Sequence, residues 1–149
     1  MSQMKNLVAN RSTIGDAAVD GLFGGLGAGL VMAVYFVAAG LFGGESPALV
    51  LSRFDPSVAA SPLTGALIHL AVASVYGMIF GIVYRFIRLQ WLPPWLAGLL
   101  YGLALFLLAE AVLLPSAQSL LLVVPIWSFG LAHMIYGVTL GMLVGQTRI

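Results

Sequence analysis

The sequence predicts an all-α integral membrane protein, a four-helix bundle built from a duplicated two-helix hairpin as a parallel repeat. Three observations carry that expectation. Of 149 residues, 61% are hydrophobic and 7% are charged, too few charges to cover a water-facing surface. Four apolar stretches, 21–42, 63–84, 95–114 and 126–145, each match the roughly 20 residues of helix that cross a hydrocarbon core. Finally, His69, Ala73, Gly77 and Gly81 recur 64 residues later as His133, Gly137, Gly141 and Gly145. Residues four apart share one face of a helix, so each set is a histidine followed by a smooth ridge.

Helix is the viable secondary structure, because lipid offers no partner for backbone polar groups and the stretches lack the polar alternation of barrel strands. The first 20 residues are polar and read as a short cytoplasmic tail or a short interfacial helix, with Ser12, Thr13 and Asp16 near a helix start. Within the first span, residues 37–40 resemble a signal cleavage site. The apolar core is longer than a signal's, so a retained span is expected. Ser46-Pro47 is an N-cap and N1 pair that predicts a short helix on the outer surface. The basic turn between the second and third spans carries Trp91 and Trp95 as interfacial anchors. The stretch at 120–124 is apolar and ends at Pro125. It predicts either a bent extension of the fourth span or a surface covered by another protein.

Orientation follows from the basic residues. Lys5, Arg11, Arg85, Arg88 and Arg148 fall on one side and Arg53 on the other, which predicts both termini in the cytoplasm. The six basic residues are scattered over tails and loops, so nucleic acid is not an expected partner. With no cysteine, disulfides, iron–sulfur clusters and covalent haem attachment are excluded.

The duplication extends to the first and third spans. Gly25-xxx-Gly29 matches Gly98-xxx-Gly102 at an offset of 73 residues, and the nine-residue difference equals the shortening of the second outer loop. Gly25, Gly29, Gly77, Gly81, Gly98, Gly102, Gly137 and Gly141 are therefore expected at helix–helix contacts, where missing side chains let backbones approach. Tyr76, Tyr101 and Tyr136 each precede a glycine and read as packing residues whose hydroxyls need an acceptor.

Polar residues inside the spans are few and lie at similar depth. At about 1.5 Å per residue, His69, His133 and Glu110 sit roughly 9, 10 and 6 Å inside the outer ends of their helices, which predicts one interior cluster near the outer leaflet. Three chemistries suit it. The first is a structural polar plug. The second is a binding site for haem b, a divalent cation or a quinone head, and the third is a proton relay. The plug needs no cofactor, and the metal, if any, is undetermined.

Enzyme signatures are absent: no nucleophile elbow, phosphate loop or His-Glu-x-x-His occurs. The stretches Gly-Leu-Phe-Gly-Gly-Leu-Gly-Ala-Gly at 21–29 and Ala-His-Met-Ile-Tyr-Gly-Val-Thr-Leu-Gly at 132–141 give the chain a resemblance to uncharacterised small four-helix inner-membrane proteins of bacteria. That resemblance implies the topology and transfers no catalytic residue. The glycine face of the first span and the apolar 120–124 segment exceed what a lone bundle needs, so other membrane subunits are expected beside the lipid bilayer. The expected role is a non-catalytic accessory subunit of a larger complex, in a respiratory or photosynthetic electron-transfer chain. A stand-alone haem- or quinone-binding protein and a small oligomeric transporter are the alternatives.

Overall fold

The structure, a computed structural model, describes residues 13–86, 92–117 and 119–146. These residues form helices and turns with no strand among them, and four of the helical segments are long and apolar enough to cross a membrane. Lys5, Arg11, Arg88, Trp91 and Arg148 lie outside the described residues.

Helix α1 (Ile14–Phe42) opens on a capping box. Thr13 Oγ1 accepts from the Asp16 amide at 3.2 Å, and the Asp16 carboxylate accepts from the Thr13 amide at 2.7 Å, which satisfies two amides that the helix leaves orphaned. This start corrects the tail expected over 1–20, since residues 14–20 are already helical. Its 29 residues give a rod about 43 Å long, so α1 tilts within or projects beyond a core of roughly 30 Å.

The chain then turns at Gly44, whose φ of +79° is readily adopted by glycine. Short helix α2 (Pro47–Ser52) begins at Ser46, whose hydroxyl accepts from the Leu49 amide at 3.2 Å. It sits on two glycines: Val50 packs where Gly40 has no side chain, and the Leu51 carbonyl lies over Gly65. Helix α3 (Pro62–Phe86) follows, then α4 (Pro94–Leu108), which continues through one π-helical turn, Ala109–Leu113, into α5 (Leu114–Ala117). A 3₁₀ turn, Leu120–Val123, precedes α6 (Ile126–Gln146).

The 3₁₀ turn corrects the idea that 120–124 extends the last span. Ser119 caps it by accepting from the Leu121 amide at 3.2 Å, and Val124 is extended. Pro125 disfavours helix at the residue before it. Leu121 turns inward, while Leu120, Leu122 and Val123 stay exposed.

Helix α1 packs on α3, α4 packs on α6, and the two pairs join through α1 and α6, while α3 and α4 barely touch. Within each pair the glycines set the approach, and the contacts repeat atom for atom. A methyl group on Gly25 would meet the Ala73 carbonyl and the Gly77 Cα, and one on Gly98 would meet the Gly137 carbonyl and the Gly141 Cα. Likewise Gly77 faces the Gly21 carbonyl and Gly25, whereas Gly141 faces the Pro94 carbonyl and Gly98. Offsets of 73 and 64 residues map each contact onto its counterpart, so the two hairpins share one packing register.

Tyrosines join the pairs. The Tyr101 hydroxyl donates to the Tyr76 carbonyl at 2.8 Å and the Tyr136 hydroxyl to the Ala73 carbonyl at 2.7 Å. The Tyr35 and Ser128 hydroxyls meet at 3.0 Å. All three bonds cross from one hairpin to the other. Close backbone packing thus builds each hairpin, and packing of α1 on α6 together with these hydroxyls holds one hairpin to the next.

Candidate functional site

The same small-residue stripes that draw the helices together carry the histidines. Gly29 and Ala73 let α1 approach α3 closely, and His69 Nε2 reaches the Gly29 carbonyl at 3.0 Å. His133 holds the matching place on α6, yet it turns back along its own helix, with Nδ1 at 2.9 Å from the Phe129 carbonyl. A carbonyl can only accept, so the ring N–H is on Nε2 in His69 and on Nδ1 in His133. In the neutral rings, His69 Nδ1 and His133 Nε2 each keep an acceptor lone pair.

Both residues are 9% exposed. Both line one cavity of about 210 Å³. It lies between α3 and α4, which barely touch, walled by Met32 of α1, Leu105 and Ala109 on the α4 side and Phe129 of α6. No buried side-chain nitrogen or oxygen among the described residues lacks a partner. The second nitrogen of each ring is therefore accessible rather than enclosed. Aromatic rings fix the imidazoles: Phe54 lies 4.5 Å from His69 and Phe129 4.5 Å from His133, centroid to centroid. Val72 and Leu113 also line the cavity and are 47% and 43% exposed. The cavity thus reaches the exterior of the bundle at these two residues.

Glu110 is not in this wall. It is half-exposed on the π-helical turn, and no three His, Asp or Glu side chains gather as metal ligands among the described residues. Leu105, Ala109, Leu113 and Leu114 supply the wall on that side, and Glu110, within the π-helical turn between Ala109 and Leu113, falls on another face. Both histidines, matched in depth along the sequence, line the cavity. Depth carries no information about azimuth, which excludes the carboxylate.

Next to the cavity, around the loop that carries α2, lies a polar cap. Phe54 and Leu121 separate the histidine cavity from a second, outer cavity of about 500 Å³ that holds Glu45 and Arg53. Arg53 grips the Glu45 carboxylate with both terminal guanidinium nitrogens. Next to them, buried Asp55 accepts from the Ser61 and Ser57 amides, each at 2.9 Å, and so ties the loop to the start of α3. An aspartate before Pro56 is the available signal for such a turn.

These bonds hold the Asp55 carboxyl below its ordinary 3.8, through Ser61 first and then Ser57, and the Arg53 guanidinium holds Glu45 below its ordinary 4.5. A depressed carboxyl stabilises the fold above its unfolded pKa and loses that effect as pH falls through the folded value. Hydrogen exchange over residues 43–61, corrected for intrinsic rates, should stay slow from pH 7 to 5 and quicken below pH 3.8. Loss of protection already between pH 7 and 5 would show that the carboxylates do not hold the cap.

The chain is a multi-pass α-helical membrane protein, defined by four membrane-length apolar helices and a cleft between two of them. Comparison with protein-family models, curated proteins and solved structures gives no match.

Proposed function

We propose that this chain is a non-catalytic accessory subunit of a larger assembly in a bacterial inner membrane, and that its cleft holds the polar head of a lipid-soluble molecule. The observation that carries the reading is the pair of buried imidazoles lining one apolar cavity, each with one ring nitrogen left without a hydrogen bond, beside the exposed Val72 and Leu113. The volume of about 210 Å³ falls below the roughly 300–1,000 Å³ of a site that encloses a whole ligand. It suits a head group whose tail stays in lipid. Quinones are lipid-soluble carriers of this kind, which supports an electron-transfer setting. Haem fits less well, because the Gly29 carbonyl engages His69 Nε2 and leaves Nδ1, crowded by its own Cβ, to reach an iron. The exposed apolar residues at the outer end, Leu120, Leu122, Val123 and Trp127, support a protein neighbour there.

Purification from native membranes in mild detergent tests the reading. Other membrane proteins should co-migrate, and the lipid extract should contain a head-group-bearing molecule that His69→Ala and His133→Ala each deplete. A partner-free species with an empty extract, or one with stoichiometric haem absorbance, would overturn it. Orientation has its own test. Cysteines replacing Ser57 and Ser116 should react with an impermeant reagent from outside, and one replacing Gln146 should be protected, both termini being cytoplasmic. The reverse pattern would refute that orientation.

A further inference from the structure

We infer that the cleft selects hydrogen-bond donors among lipid-soluble heads, taking a phenolic or hydroquinone hydroxyl in preference to the matching quinone carbonyl. The inference deepens the reading above and rests on it. Each histidine spends its one N–H on a backbone carbonyl, Gly29 for His69 and Phe129 for His133. Both rings line the cavity, and the nitrogen that each leaves unbonded is an acceptor. The Tyr136 hydroxyl, also in the wall, spends its proton on the Ala73 carbonyl.

A hydroxyl entering the cavity can donate to His69 Nδ1 or His133 Nε2. A quinone carbonyl meets lone pair against lone pair, and the apolar wall offers no water-like compensation. Sites built to bind a hydroxyl reject analogues without it far more strongly than apolar pockets discriminate by a methylene. The two acceptors belong to opposite hairpins and line the same cavity. Entry is lateral, between Val72 of α3 and Leu113, and requires no passage through water.

The test uses the full chain in lipid nanodiscs, kept anaerobic, with four probes of one tail length: decylhydroquinone, decylphenol, decylbenzoquinone and decylbenzene. The hydroquinone and the phenol should bind at least about tenfold more tightly than the quinone and the hydrocarbon. Equal binding of quinone and hydroquinone would overturn donor selection while leaving the lipophile cleft standing, and so would equal binding of phenol and hydrocarbon. Failure of all four to bind would overturn the cleft reading itself. Because a histidine substitution could disturb folding, the mouth supplies a second variant. Val72 is lipid-facing, and Val72→Trp should weaken both hydroxyl probes about tenfold with the helical spectrum unchanged. Undiminished binding in that variant would overturn lateral entry.

Discussion

Gly137→Ala is expected to destabilise the bundle by about 1–3 kcal/mol, the usual range for forcing extra atoms into a packed interior. Gly130→Ala, seven residues earlier on α6, should be neutral or stabilising by up to about 1 kcal/mol, the gain in helix propensity. A methyl group at Gly137 would collide with the Gly98 carbonyl and lie 3.0 Å from the Gly102 Cα and amide nitrogen, all backbone atoms that cannot swing aside. At Gly130 its nearest neighbours are ring atoms of Phe106 at 3.5 Å, an ordinary contact. Unfolding in bicelles with increasing denaturing detergent measures both. A parallel pair tests the repeat: Gly25→Ala and Gly98→Ala meet equivalent atoms and should cost similar amounts. Equal tolerance at Gly130 and Gly137 would mean that the helices do not pack through these glycines.

Tyr101→Phe combined with Tyr136→Phe should loosen the hairpins from each other while each stays zipped. A hydrogen bond between membrane helices contributes about 0.6 kcal/mol on average and at most about 1.7, so the double variant loses up to about 3 kcal/mol. The affected bonds end on the Tyr76 and Ala73 carbonyls of the other hairpin, and no glycine contact changes. Spin labels at Val75 and Leu100, both lipid-exposed, should report a wider α3–α4 separation. Labels at Leu22 and Ile79, on α1 and α3, should keep their distance. Widening of both pairs together would show that the hydroxyls do not act specifically between hairpins.

The glycine register was readable because it is periodic: a four-residue spacing fixes a helix face, and a repeated spacing fixes which faces correspond. The depth of His69 and His133 was readable from distance to the span ends. What each ring bonds was not, since His69 and His133 occupy matching places and still choose different carbonyls. That choice depends on the side-chain rotamer and on the approach of a second helix. Glu110 shows the same limit, as its placement depends on which face α4 turns inward. The end of the 3₁₀ turn was legible in Pro125, whereas the π-helical turn at Ala109–Leu113 holds no proline or glycine of its own, and its one cue is Pro115 just beyond it, which has no N–H for the Ala111 carbonyl.

That π-helical turn occurs in one hairpin, and the equivalent stretch of α1, residues 36–40, is regular α-helix. Two identical hairpins about a shared axis would present any guest with equivalent ends. Here the wall on the α4 side is wound differently, and the two imidazoles offer different nitrogens, Nδ1 from one and Nε2 from the other. On the proposed reading, a guest with unlike ends would bind one way round. The doubled chain acquires a direction that neither half possesses.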